Sequence, residues 1–471
     1  MALRSSDTLG ECGTRPDQAA AILRRALTDS GLSTRTEPPA HVPPSLAHPT
    51  GCEVLAWAAS GAMWLSGQPS QPPVAPMAPV IGRLVGASAV LGDLTGLLGR
   101  RVDVAVATLL GARASLQRLT RQGQVSAGGS CRLLPAANGW VAVNLARQED
   151  VDAVPAVTEE DGKRDPWEAL RDAARRRSAH RLVVRAQMLG VPAAALPPRA
   201  PATTRPPFVV SHLGRPQPVP RQRPRLVVDL SGMWAGPVCA QLLGRAGMRV
   251  VKVESIDRPD GARRGPRAFF DWLHAGHESV ALDFSTSAGL GQLHRLVHSA
   301  DVVIESSRAR ALRHLAIDAE SVVGSRPGVT WISITGYGRT GAGADWVAFG
   351  DDAAVAGGLV AWDYTRLPVF CGDAIADPAT GLYAAIAAVA SQAAGGGHLI
   401  DVRMLNAARW LAAEEPQMQP HPVKEVGRGR WLVYHGQYYQ EVQRPGPPPL
   451  GRSAVPMGTD TARVLDELKS C

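Results

Sequence analysis

Lysine is nearly absent from this chain: all but four of its fifty basic residues are arginine, spread along the sequence with no aromatic residues interleaved. The formal net charge of +8 therefore lacks the clustered form of a nucleic-acid surface and fits a small anionic ligand. Cysteine is scarce as well. The six cysteines (Cys12, Cys52, Cys131, Cys239, Cys371 and Cys471) lie far apart with no C-x-x-C pair, so the spacing indicates neither a zinc site nor a disulfide framework, and no metal is expected. No run approaches the roughly eighteen apolar residues of a membrane span, and MALRSSDTLGECGTRPD lacks the apolar core of a signal peptide. The expectation is a cytoplasmic protein with no membrane and no nucleic-acid partner.

What is present begins in mid-chain. From Arg225 to Glu254 the text RLVVDLSGMWAGPVCAQLLGRAGMRVVKVE gives a β-branched strand, a small-residue turn, a helix and a second strand, which is the βαβ unit of a parallel sheet. ESVALDF, ADVVIES and GVTWISITGYG read as further strands, with helices around Gly289 to Ser299 and Ala319 to Ser325 between them. The fold class expected is α/β, a doubly wound parallel sheet. Upstream, AGGSCRLLPAANGWVAVNLAR reads as a glycine turn with two short strands, and WEALRDAARRRSAHRLVVRAQMLGVPAAAL as two helices closed by Gly190, a small α+β domain. Residues 192–224 are proline-rich and read as a semi-rigid connector. AASGAMWL (58–65) resembles VAGGLVAW (355–362), and RVDVAVATLL (101–110) resembles LIDVRMLNAA (399–408), a nearly constant offset that points to a partial internal duplication; alanine, glycine and valine text also imitates such matches.

IADPATGLYAAIAAVASQ opens a helix with Asp377 expected at the N-cap and Pro378 at the first helical position. On propensity alone Asp377 is a cap. A carboxylate there is also held ionised by the helix dipole and free N–H groups, the surroundings of a nucleophile. The ordered series VVDLSGMWAGPVCAQLLGRAGMRVVKVE, LHAGHESVALDF, ADVVIESSRARALRHLAID, PGVTWISITGYGRTG, GDDAAVAGGL and IADPATGLYAA resembles the family III CoA-transferases, a superfamily that includes formyl-CoA transferase, carnitine CoA-transferase and α-methylacyl-CoA racemase. The closing RPGPPPLGRSAVPMGTDTARVLDEL resembles the family's tail, so the likeness spans Arg225 to Leu468. The D-x-x-[ST]-G helix start that carries the family's nucleophile is matched by Asp377, Thr380 and Gly381. The first half resembles a later part of the same family, without the nucleophile: no Asp or Glu occurs from Val54 to Gly92.

The resemblance implies a CoA-transferase that moves CoA from an acyl-CoA to a carboxylic acid through an aspartyl-CoA thioester on Asp377, with CoA as substrate and no metal. It implies Trp234 and Ala235 as CoA contacts, although Trp234 also reads as core, and Arg258 and Arg263 on a loop that reads equally as a solvated basic run. Gly128 and Gly129 resemble the family's glycine loop and also a plain turn. His274 and His277 stand where the family has asparagine and lysine, Ser306 and Ser307 open the segment that replaces N-F-R-P-G, and His314 replaces an arginine. Asp352, in Gly350-Asp351-Asp352, matches the racemases' G-H-D motif without the histidine, and reads as a structural or pantetheine-contacting residue. The expected organisation is a nucleophile-free large-domain fragment (1–125), a small α+β domain (126–200), a linker (201–224) and a Rossmann-like domain (225–471), forming a homodimer or an intramolecular pseudo-dimer. Two rivals remain: an acyl-CoA racemase or isomerase of the same fold, disfavoured by the absent histidine, and a degenerate CoA-binding scaffold.

Overall fold

The computed structural model describes residue 12 and residues 14–32, 48–199, 205–217, 223–413, 421–427 and 429–468. Its large sheet has seven strands, numbered here along the chain: β1 (Phe208–His212), β2 (Leu226–Asp229), β3 (Arg249–Ser255), β4 (Glu278–Leu282), β5 (Val302–Glu305), β6 (Thr330–Thr335) and β7 (His398–Arg403). The spatial order is β1-β7-β6-β5-β2-β3-β4, parallel except for β1, which pairs antiparallel with β7 at the edge. The inner strands are apolar runs because helices cover both faces. Val227, Val302 and Ile332 join the layer holding the helices Ala235–Arg245 and Ala376–Ala393; Val228, Val303 and Trp331 join the layer of Leu293 and Leu296 on the helix Ser287–Ser299. From β2 the chain runs through β3 and β4 to one side, then through β5, β6 and β7 to the other, so the topological switch lies between β2 and β5.

Two expectations are corrected. The connector at 192–224 supplies two strands: Ala193–Ala195 closes the small sheet, and Phe208–His212 is β1. Its prolines flank FVVSH without interrupting it, and an edge strand tolerates such neighbours; residues 201–204 and 218–222 of the expected linker lie outside the described residues. RVDVAVATLL, likened to LIDVRMLNAA whose first residues lie in β7, forms no ladder. The Val102 and Val104 amides donate to Thr95 Oγ1 and Ser88 Oγ of the helix Val80–Leu97, and a second helix, Val106–Gln117, begins at once.

The helix Val80–Leu97 is long and apolar enough by length and composition to cross a membrane. In the fold it is an interior element, packed between Pro16–Asp29 and Ala376–Ala393, with Val80, Leu84, Ala87 and Leu91 buried. A helix apolar on all sides belongs in such a core. One hydrophobic cluster joins Leu55, Trp57, Leu84 and Val90 from the first half to Leu382, Tyr383 and Ile386 from the second.

Three helices of the first half, Glu53–Ala59, Val80–Leu97 and Val106–Gln117, are spaced like Gly350–Ala356, Ala376–Ala393 and Met404–Ala412 in the second; their starts lie 297, 296 and 298 residues apart. Contacts cross between the halves. Helix Glu53–Ala59 packs on the C-terminal strands Trp431–His435 and Tyr438–Glu441, while helix Gly350–Ala356 packs on Gly139–Asn144 and Ala193–Ala195 of the first small sheet.

The helices Ala235–Arg245 and Ala376–Ala393 approach so closely at Gly381 that a Cβ there would stand 2.5 Å from Ala235 O and 2.7 Å from Val238 Cβ. Backbone must therefore move to admit a methyl group. Gly381→Ala is expected to lower stability by about 1–3 kcal/mol, read as a lower urea midpoint at unchanged m-value; an unchanged midpoint would contradict this packing.

Candidate active site

A cavity of about 280 Å³ opens at the carboxyl ends of β2, β5 and β6, over the topological switch point where doubly wound sheets bind ligands. Its walls come from the loop after β2 (Gly232, Met233), the start of helix Ala235–Arg245, the loop after β5 (Ser306 to Arg308), the segment Ala344 to Phe349, and Asp377. The wall after β2 is shaped by buried charge. Lys252 Nζ lies 3.0 Å from Asp260 Oδ2 and donates to Ser231 O at 2.8 Å, while Asp260 Oδ1 accepts from Met233 N at 2.9 Å. This fixes Met233 in a left-handed conformation, φ +70°, at the cavity rim.

The helix of Asp377 opens at Ala376, so Asp377 is its second residue and not its cap, and its own amide donates to Ala374 O at 2.9 Å. Asp377 Oδ2 accepts from Gly350 N at 3.0 Å. A Cβ on Gly350 would stand 2.5 Å from that oxygen and 2.2 Å from Ala374 O, so only glycine fits at the start of helix Gly350–Ala356. Burial raises the Asp377 carboxyl to about 7, with Arg113 opposing the rise and Asp351 and Asp373 adding to it. Asp351, whose Oδ1 accepts from Ala374 N at 3.0 Å, is pushed up to about 6, first by burial and then by Asp373. The group thus sits where protonation is balanced near neutrality, and one carboxyl oxygen is held by a backbone N–H.

The residues expected from the sequence divide sharply. Asp377, Ala235, Ser306 and Ser307 share the cavity; Ser306 Oγ accepts from Gly232 N at 3.2 Å, and Ser307 Oγ donates to Glu305 at 3.0 Å. Gly128 and Gly129 lie exposed in a turn beside Arg113: a Cβ on Gly128 would meet its Nη2 at 3.1 Å. Asp352 lies behind the cavity, fully buried, accepting from Asn144 Nδ2 at 3.1 Å and Phe349 N at 3.0 Å, and burial raises it to about 8. Trp234 is corrected to a core residue, 3% exposed and edge-on to Phe269. His274 and His277 are likewise corrected: they are 2% and 7% exposed, and burial, reinforced by Lys252, drives both well below the ordinary histidine range, to about 3 for His277. Neutral and enclosed, they offer no phosphate contact. Arg263 is tied to Glu254 at 2.8 Å and stacks 4.3 Å from the Phe270 ring, and Arg258 and His314 are exposed away from the cavity lining.

The cations that do reach the site were missed. Arg113, on helix Val106–Gln117, donates from Nε to Asp373 Oδ2 at 2.9 Å and lies 5.0 Å from the Trp234 ring. Arg147, Arg308 and Arg339 line the cavity. Arg339 is committed to Glu305 (3.0 Å) and Glu320, and Arg147 to Asp150, whereas Arg308 forms no ion pair with a described residue. Arg113 and Arg147 come from the first half and Asp377 from the second. One site is assembled from both.

Residues 225–438 match the family model of CoA-transferase family III. This region is similar to the family III CoA-transferases. Among curated relatives, succinate–glutarate CoA-transferase of Agrobacterium fabrum is 30% identical over 220 residues, 42% of this chain and 55% of the relative. Succinyl-CoA–D-citramalate CoA-transferase of Chloroflexus aurantiacus is 30% identical over 189 residues, 37% of this chain and 47% of the relative. The chain thus spans about half the length of these relatives. A solved CAIB/BAIF family protein from Brucella suis is 28% identical with a TM-score of 0.40, covering 44% of this chain and 64% of that one.

The electrostatics of the Asp377 site are open to direct titration. NMR of carboxyl-labelled protein is expected to give Asp377 a midpoint near 7, and Arg113→Gln is expected to move it to higher pH, because the guanidinium favours the ionised form. A midpoint in the ordinary aspartate range, or a downward move in the variant, contradicts this account.

Proposed function

We propose that the protein is a CoA-transferase in which Asp377 is the nucleophile. The observation that carries the reading is the position of Asp377: its carboxyl lines a cavity at the switch point, at the amino end of a buried helix, with one oxygen on the Gly350 amide. In the reaction, the carboxylate attacks the thioester carbonyl of an acyl-CoA, the C–S bond breaks, and CoA leaves as thiolate from a mixed anhydride. The thiolate attacks the aspartyl carbonyl, releasing the donor carboxylate and leaving an aspartyl-CoA thioester. The acceptor carboxylate displaces CoA thiolate to form a second anhydride, and the thiolate takes up the acceptor acyl group, regenerating Asp377. Backbone N–H groups at the helix start supply oxyanion stabilisation, and the Gly128-Gly129 turn beside Arg113 is read as the loop that covers the intermediate. For the CoA phosphates, Arg308 and Arg147 on the cavity wall replace Arg258 and Arg263 as the contacts this geometry favours.

The same reading treats the chain as a partial duplication arranged as an internal pseudo-dimer. The matched helix spacings and the crossed packing of each half's short helix on the other half's small sheet support it. No histidine stands beside Asp352, which disfavours two-base racemisation. Incubation with an acyl-CoA and hydroxylamine is expected to trap the aspartyl thioester as a hydroxamate at Asp377, seen by peptide mass spectrometry. Asp377→Ala is expected to lose at least about 10³-fold in CoA transfer. Full transfer activity in that variant would sink the mechanism, and binding of CoA without turnover by the native chain would favour a scaffold.

A further inference from the structure

Cys12 and Cys52, distant in sequence, meet in the fold with Sγ atoms 3.3 Å apart, both buried, at 6% and 2% exposure. His421 reaches them from the C-terminal segment: its Nε2 lies 3.3 Å from Cys52 Sγ and 3.7 Å from Cys12 Sγ. His435 Nδ1, at the end of the strand Trp431–His435, lies 2.7 Å from that same nitrogen. Two sulfurs and the His421 nitrogen therefore lie within 4.8 Å of one another, and His435 stands one hydrogen bond behind them. We propose that Cys12, Cys52, His421 and His435 form a site for a soft divalent transition cation of the Zn²⁺ class.

The distances carry the argument. A tetrahedral ion with Zn–S near 2.3 Å and Zn–N near 2.0 Å sets its ligand atoms about 3.3–3.8 Å apart. The Cys52–His421 and Cys12–His421 separations of 3.3 and 3.7 Å bracket the S–N value of about 3.5 Å, while the Cys12–Cys52 separation of 3.3 Å opens by about 0.5 Å to reach the S–S value. The His421–His435 separation of 2.7 Å is that of a hydrogen bond, and His435 lies outside the compact group of the other three, so it becomes the fourth ligand by moving toward the sulfurs when the ion binds. The donor set is chemically matched as well, since two thiolates neutralise a divalent ion and imidazole completes it, the Cys₂His₂ combination that selects zinc over magnesium or calcium. Glu53, next in sequence to Cys52, does not compete, because both its oxygens accept from the Ile81 and Gly82 amides at 2.6 and 2.9 Å.

The cluster is held by backbone. Glu53 N donates to Cys12 O at 2.9 Å, Cys52 N donates to Thr50 Oγ1 at 3.2 Å, and the helix that follows Cys52 packs on the strand that carries His435. Four protein ligands leave no open position, so the ion is structural: it ties the beginning of the described chain to its C-terminal hairpin across sequence separations of 409 and 369 residues. The site is separate from the Asp377 cavity and stands whether or not CoA is the substrate there.

The full chain, reduced and stripped with a chelator, is titrated with Co²⁺. Tetrahedral ligand-field bands with thiolate charge transfer, saturating at about one ion per chain, displaced by Zn²⁺ and accompanied by a rise in Tm, are the expected result. Cys52→Ser and His421→Gln are each expected to abolish the bands, while Cys239→Ala, at a buried thiol elsewhere, and Asp377→Ala retain them. Circular dichroism of each variant reports whether it folds, and Cys12→Ser serves in place of any that does not. The proposal is overturned if folded wild-type protein gives no thiolate charge transfer, if the bands persist in Cys52→Ser, or if Cys12 and Cys52 are isolated as a disulfide whose reduced form binds no Co²⁺.

Discussion

The pairing of Arg113 with Asp373 is the interaction on which both the site and the union of the two halves depend. Asp373 raises both Asp351 and Asp377, and Asp351 adds to the rise at Asp377, in a region where burial already favours the neutral acid. An uncompensated buried carboxylate costs several kcal/mol. The cation that offsets this comes from a helix 260 residues earlier in the chain, bidentate to Asp373 and stacked on Trp234. The electrostatic balance at Asp377 therefore exists only when the first half is docked on the second. This is a physical reason for the two halves to stay together in one chain.

The parts of this arrangement that were legible in the sequence are those whose cause is local. Strands covered on both faces must be apolar runs, so LVVD and RVVKVES announced themselves, and DPATG marked a helix start to within two residues. The strands Cys131–Ala136 and Gly139–Asn144 and the helices Pro166–Arg176 and Ala179–Met188 were also readable from local signals, whereas the third strand of that sheet, Ala193–Ala195, was not. What stayed hidden depends on partners hundreds of residues apart. Nothing near Arg113 distinguishes it from forty-odd other arginines, and only folding brings it to Asp373. The histidines of LHAGH looked like ligand contacts because they stand in a motif, yet their neighbours Phe270 and Lys252 enclose them. The four cysteine and histidine ligands carry no spacing signature at all, since each comes from a different segment.

A clue to Asp377 that the sequence did contain is the glycine of G-D-D. Gly350 appeared to mark a motif that had lost its histidine. In the fold its amide holds the Asp377 carboxyl, and its missing side chain makes room for Ala374 and for that oxygen. The residue that seemed to record a lost activity is the one that positions the retained carboxyl.

The corresponding place in the first half sharpens the contrast. There the two helix starts are also joined by a carboxylate, with the roles exchanged: Glu53, opening the first helix, accepts from the Ile81 and Gly82 amides opening the second. Both of its oxygens are used, the group is 5% exposed, and burial raises it to about 8. It caps a helix, whereas Asp377 lines the cavity over the sheet. Under the duplicated reading, the difference between a structural and a chemical carboxylate is thus which helix start supplies it. Cys52 precedes Glu53 as Phe349 precedes Gly350, so thiol and imidazole groups occupy the position that, in the second half, forms the cavity wall. In the first half that position is filled by side chains that meet one another, and the proposed ion would hold them together and so close the chain.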